Sequence, residues 1–409
     1  MSVPLRRNRD FTLLWSGQAI SELGTRASDI ALPLLVLAVT GSPAKAGIVA
    51  FAGGIPYVLF GLPAGALADR WDRKRLMFWC DVGRACAMAT LPLALAADDL
   101  TFPHIAAAAF AAGTFTTLAR PAEFSALRHV VPAEQIPVAI SRNEARTYAA
   151  QLAGPPVGGV LFGLGRALPF IADTVSYVVS AITLLLIRAD FQEARESSAA
   201  RLRHEVGEGV RWVLGQPFVR AVVIRAGVGN FVSNGLFLIV IVVATERGAS
   251  SGLVGSILAV AAAGGLLGAA AAPWLQRRAP ATAVIVGYHA VYAVLIPLFL
   301  FVPPAAFGAL FALMLFGAPA LNAVLGTYAF ALVPDRLMAR VDAATGVLTS
   351  GASPLSRLVA GLLLSAFGAN TTILFWAGIA IALAAATAGN KAFRNLPAGD
   401  QLHAAGERA

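Results

Sequence analysis

Twelve apolar runs, separated by charged or Pro/Gly-rich breaks, govern what this chain can fold into. They lie at approximately 11–39, 43–68, 76–97, 102–124, 138–164, 167–188, 218–245, 251–275, 281–302, 305–332, 343–367 and 370–389. A helix needs about 20 apolar residues to cross the hydrocarbon core of a bilayer. Lipid offers no partner to exposed backbone groups, so such runs cross as helices. Composition rules out the soluble alternative. Only 13% of the 409 residues are charged, against about 25% in a soluble domain. Twelve spans with short loops consume nearly the whole chain and leave no room for a large soluble catalytic domain. The expected fold is all-α and integral to the membrane, with twelve transmembrane helices.

The net charge of +9 would suggest nucleic acid as a partner for a soluble protein. Here it follows from the retention of Lys and Arg in cytoplasmic loops, and no nucleic-acid partner is expected. With the N-terminus inside, 22 of the 31 Lys+Arg fall on the cytoplasmic side and only Lys45, Arg166 and Arg247 outside. Arg26, Arg84, Arg120, Arg146, Arg225 and Arg357 lie within spans. Both termini are therefore expected in the cytoplasm. The first run carries Gln18, Glu22, Arg26 and Asp29, which a cleaved signal peptide would not, so it reads as an uncleaved span. Cys80 and Cys86 share one predicted helix at a spacing that fits neither zinc nor redox chemistry, and read as small packing residues. The longest loop is central. Within it Leu202, Val206, Val210 and Val213 recur at helical spacing among Arg203, Glu205, Glu208 and Arg211, as expected of a helix on the inner membrane surface.

The two halves read as one repeat. A shift of 208 places Thr40–Gly47 on Gly248–Gly255, Glu22 on Asn230, Thr25 on Ser233 and Arg26 on Asn234. The fifth span of each half carries a proline, Pro155 and Pro354. The expected organisation is a six-helix half over 1–188, a cytoplasmic linker with an amphipathic helix over 189–217, a second six-helix half over 218–389 and a cytoplasmic tail over 390–409. Such repeats place a binding site near the midplane, which rocking exposes to each side in turn.

Ionisable residues inside a span are costly and are functional candidates by default. Gln18, Glu22, Arg26 and Asp29 fall at i, i+4, i+8 and i+11, one helical stripe in which Arg26 can pair with either acid. The stripe is expected to face a wet cavity. Asn230, Ser233 and Asn234 on span 7 are expected to face the same cavity. Glu22 or Asp29 is the expected proton-exchanging group, against the alternative of a permanent salt-bridge cluster. Arg146, Arg225, Arg357 and Asp173 are further charges in spans. An excess of buried arginine fits an anionic or zwitterionic substrate, or equally plain pairing. His289 reads as a structural histidine or a titrating group.

Between spans 2 and 3 the chain reads Gly65-Ala-Leu-Ala-Asp69-Arg70-Trp-Asp72-Arg73-Lys74-Arg75. Gly65 would let helix 2 pack tightly. Asp69 can complement a helix N-terminus, and Arg70, Arg73 and Arg75 can pair with acids or lipid phosphates. Asp81 and Arg84 follow, three apart on one face. The loop resembles the signature G-x-L-A-D-R-x-G-R-[KR] of the major facilitator superfamily, departing from it at Asp72. The resemblance implies that the acid at Asp69 holds the cytoplasmic side closed against helix 11. Pro273 and Arg277 stand at the matching places of the second half, so this latch is one-sided.

Span 5 holds Gly154-Pro155-Pro156-Val157-Gly158-Gly159. It is similar to the G-P-x-x-G-G core of the antiporter motif of drug–proton antiporters in this superfamily. The Leu32–Pro43 segment and the Val131–Gln135 loop resemble the group that includes the enterobactin exporter and macrolide efflux proteins. In that group a Pro-Ala-Arg element follows span 4, where this chain has Pro121-Ala122-Glu123. The resemblance implies export of a small amphiphilic compound, drug-like or a siderophore, by proton antiport through alternating access. It also implies a monomer in the bacterial inner membrane, with lipid and protons as partners and no cofactor or metal beyond the proton gradient. A proton-coupled importer is the alternative. A polytopic membrane enzyme is the remote one, since the sequence holds no HExxH or P-loop.

Overall fold

The computed structural model describes residues 5–191, 210–333 and 338–394, and the described residues contain helices and no strands. The first six long helices are α1 (Arg9–Thr40), α2 (Pro43–Arg70), α3 (Arg73–Ala96), α4 (Phe102–Val130), α5 (Ile136–Leu164) and α6 (Leu168–Leu186). Then come α7 (Pro217–Glu246), α8 (Ser251–Arg278), α9 (Ala281–Leu298), α10 (Pro304–Phe316), α11 (Ala318–Leu332), α12 (Met338–Ser350), α13 (Ala352–Gly389) and the short α14 (Lys391–Arg394). Two expected spans are interrupted. The tenth breaks at Gly317, between α10 and α11, and the eleventh between α12 and α13. Within α13, Gly368 leaves helical geometry at φ 73°, ψ 177°. The apolar stretch Ala344–Gly389 is 46 residues long, about twice what one crossing needs, so the break at Gly368 separates the last two spans. Among the described residues, nine helical stretches are long and apolar enough to cross a membrane. α3 is absent from them because it carries Asp81 and Arg84, and α5 because of its polar first half and its Gly/Pro centre.

Local signals place the helix ends. The Asn8 side chain accepts from Phe11 N at 3.1 Å and opens α1, and Gly41 closes it at φ 61°, the left-handed geometry that glycine adopts at helix ends. Asp72, the departure from the signature loop, is the N-cap of α3, its Oδ1 accepting from Arg75 N at 2.9 Å.

The chain divides into two compact units: the described parts of Met1–Ala199 with Gly248–Ala259, and of Ala200–Arg247 with Val260–Ala409. In the first, α2 packs on α4, α1 on α5 and α6, and α3 on α4 and α6. Glycine permits the closest approach: a Cβ on Gly113 would meet the backbone of Gly53. In the second, α13 packs on α7 and α9, and Gly264 and Gly268 of α8 lie against the backbone of Ala312 and Phe316. The second helix packs on the fourth in both halves, as a repeat requires. Of the expected linker helix, Leu202 and Val206 lie outside the described residues. Residues 210–215 are helical, and Val213 is buried with Val223, Val333 and Val341. Of the tail, 395–409 lie outside the described residues, while Phe393 is buried and its carbonyl accepts from Thr282.

Candidate functional site

The α1 stripe is built as the spacing predicts, and α5 completes it. Arg26 lies 3.7 Å from Glu22 and 3.6 Å from Asp29. Arg146 of α5 donates to Gln18 Oε1 at 2.6 Å and lies 3.3 Å from Glu22 Oε2. Thr147 donates to the same Glu22 oxygen at 3.2 Å. Glu22 thus has two cations and a hydroxyl, whereas Arg26 is the one cation paired with Asp29 among the described residues. Exposure rises along the stripe: Gln18 is buried, the Glu22 side chain is 20% exposed, Arg26 37% and Asp29 50%.

The glycines of the span-5 motif set the α1–α5 contact at this stripe. A Cβ on Gly154 would meet the Arg26 Cβ, and one on Gly158 the backbone of Ala27. Gly159 and Pro155 face the start of α8 instead, against Ser251 and Gly255. Any side chain at these glycines would push the backbones apart.

Behind the stripe lies a second, drier cluster. Arg84 of α3 forms a short ion pair with Asp81, stands 4.6 Å from the Tyr177 ring centre and lies 4.0 Å from Glu123. Asp81 is 2% and Arg84 6% exposed, so the pair supports the bundle from within. Sequence reasoning missed Glu123 as a member. Its place inside the fourth apolar run was the available signal. Tyr177 and Thr147 are neutral and gave none.

In the signature loop the structure adds contacts that the spacing did not announce. A Cβ at Gly65 would meet nothing within 4 Å among the described residues. Arg73 is buried. It donates to Ala68 O at 3.3 Å and Phe191 O at 3.1 Å and touches His129, while Lys74 donates to Ile187 O. These cations sit at helix C-termini, where carbonyls lack intrahelical partners. Arg75 pairs with Asp72 at 3.9 Å, and Arg70 is exposed. Asp69 lies in α2, and its side chain is outside the description. Cys80 is buried as expected, but Cys86 is exposed, because it falls on the outer face of α3.

In the second unit, Asn230 donates to Thr349 O at 3.0 Å, and Asn234 donates to Ser353 Oγ at 3.1 Å and accepts from Arg357 at 3.1 Å. Ser233 donates to the Tyr292 hydroxyl at 3.3 Å. These three residues serve α7's contacts with α9, α12 and α13. His289 is buried. Its Nδ1 donates to Ile285 O at 2.7 Å, which leaves Nε2 to accept from Arg225 at 3.2 Å. A cavity of about 10 Å³, the room of one water, is lined by Ser233, Tyr288, His289 and Tyr292 among others.

Residues 2–406 match the family model described as transmembrane secretion effector. The chain belongs to this family of the major facilitator superfamily. Among curated relatives of the chain are the uncharacterized MFS-type transporter YfiS of Bacillus subtilis, 28% identical over 66% of the chain and 65% of YfiS, and macrolide efflux protein A of Streptococcus pyogenes, 26% identical over 44% of each. The chain thus spans just under two thirds of the one and less than half of the other. Multidrug efflux pump Tap of Mycolicibacterium fortuitum is 27% identical over 86% of the chain and 88% of Tap. Solved structures share the fold: the nucleoside transporter NupG (TM-score 0.73, 16% identity, 95% and 99% covered) and a bacterial homologue of the iron transporter ferroportin (0.71, 14%, 93% and 100%). The chain is a multi-pass membrane protein of a transporter superfamily with efflux-type relatives, and no enzyme stands among the proteins just described.

Proposed function

We propose that the protein exports a small amphiphilic compound in exchange for protons by alternating access. In this reading it is a monomer in a bacterial inner membrane with both termini in the cytoplasm, and lipid, protons and the exported compound are its partners. The observation that carries the reading is Arg26, held between two acids at 3.7 and 3.6 Å, both beyond close hydrogen-bond distance. A cation shared in this way moves easily between partners. Protonation of Asp29 removes its hold on Arg26, which then turns to Glu22. Loss of that proton draws it back. Half-exposed charges in mid-span are supported by water, not by acyl chains, so Asp29 is served by a wet space. The motif glycines, by seating α5 directly on Arg26, would couple this shift to helix movement. The names of the relatives, macrolide efflux and multidrug efflux, support the outward direction and an amphiphilic cargo.

The test is efflux of erythromycin, dyes and siderophores from cells, with and without a protonophore. Efflux of a cargo is expected to collapse with the gradient. Asp29→Asn is expected to lower gradient-driven flux to the protonophore level. Glu22→Gln is expected to retain more, because Arg146 and Thr147 still hold that position. Undiminished flux in both variants would end the coupling claim, and gradient-driven accumulation would make the protein an importer.

A further inference from the structure

Arg225 on α7 is buried, 6% exposed, and the exchange just described makes no use of it. No acid pairs with it among the described residues. The buried cations of the first unit differ in this: Arg84 has Asp81 and Glu123, and Arg146 has Glu22. Arg225 Nη1 instead meets His289 Nε2 at 3.2 Å, and its Nε is buried without a hydrogen-bond partner. His289 gives its Nδ1 proton to Ile285 O at 2.7 Å. It is therefore neutral when it accepts from Arg225 and brings no balancing charge. A lone cation inside a span is costly, so Arg225 calls for an anion.

The neighbouring groups make a place for one. Arg225, Gly229 and Ser233 follow at i, i+4 and i+8, one stripe of α7. Gly229 and Ser233 line the cavity of about 10 Å³ with Tyr288, His289 and Tyr292 of α9. Tyr292 is 4% exposed, and its hydroxyl accepts from Ser233 at 3.3 Å and from Tyr288 at 3.1 Å. Its own proton then has no acceptor among the described residues and is left for a guest. Val232, Ala380 and Leu383 form the remaining walls. A phosphate or sulfate is too large for the room of one water and needs more donors than these walls offer. A weakly hydrated monovalent ion suits them, and chloride only slightly exceeds water in size. We propose that this cavity binds one chloride ion, attracted by the charge of Arg225 beside His289 and accepting the Tyr292 hydroxyl proton. The ion balances Arg225 and joins α7 to α9.

The test uses the purified full chain in lipid nanodiscs, with gluconate as the bulk anion. Binding of radiolabelled chloride is expected to saturate at one ion per chain. Arg225→Gln is expected to abolish it. Tyr292→Phe is expected to weaken it about tenfold, as loss of one hydrogen bond to a charged group does. The unfolding temperature should rise with chloride in wild type and stay flat in Arg225→Gln, since a ligand of the folded state stabilises that state. Should Arg225→Gln not fold, Gly229→Leu serves in its place. A Cβ there meets nothing within 4 Å among the described residues, and the longer side chain fills the cavity and should remove binding. Wild type without saturable binding would mean water alone in the cavity and would overturn the proposal. So would binding that survives Arg225→Gln or Gly229→Leu. The site does not depend on proton exchange: efflux that ignores a protonophore would end that reading and leave chloride binding as it stands.

Discussion

Arg84→Gln is expected to destabilise the protein by about 3–5 kcal/mol, the usual cost of removing one partner of a buried ion pair. The cost arises because Asp81 is 2% exposed and would keep its charge with no water to accept it, while Glu123 at 4.0 Å and the Tyr177 ring lose the same cation. Asp81→Asn/Arg84→Gln removes both charges and is expected to recover most of the loss, since residues in contact do not act additively. Thermal unfolding in detergent, followed by intrinsic fluorescence, measures both. If the single variant unfolds with the wild type, Asp81 and Arg84 do not support the bundle.

Gly158→Ala is expected to cost about 1–3 kcal/mol by overpacking and to reduce transport sharply. Its Cβ would press on the backbone of Ala27, between Arg26 and Ser28, and backbone yields less than the end of a flexible side chain. The α1–α5 seam would open at the point where Gly154 meets Arg26. Gly65→Ala is the control, with open space around it and no expected loss of stability. The same melting assay compares them, and equal melting of both variants would show that the seam does not depend on a missing side chain.

Much of the architecture was legible before any coordinate. Apolar run length counted the spans, because the bilayer sets one thickness for all of them. Charge asymmetry gave the loops their expected side. The α1 stripe was readable because helical period alone places Glu22, Arg26 and Asp29 on one face. The span-5 glycines stood out as points of close approach, but their targets did not. Gly65 looked equivalent to them, and a Cβ there meets nothing within 4 Å among the described residues, because a glycine declares the absence of a side chain and not the presence of a facing helix. The signature-loop cations looked like partners for acids or lipid. Arg73 also donates to Ala68 O near the end of α2 and to Phe191 O beyond α6, contacts that the spacing of the loop did not announce.

Local order along the chain, then, was enough for the crossings, the repeat and the pairing of near neighbours on one helix, since each depends on a fixed rise and period. The meetings of Glu22 with Arg146 and of Arg84 with Glu123 required the folded bundle. They join residues far apart in the chain, and side-chain contact between helices depends on how each helix is rotated about its own axis. In lipid that rotation is set by the packing of small residues and by polar partners, a balance among all six helices of a unit that no single segment encodes.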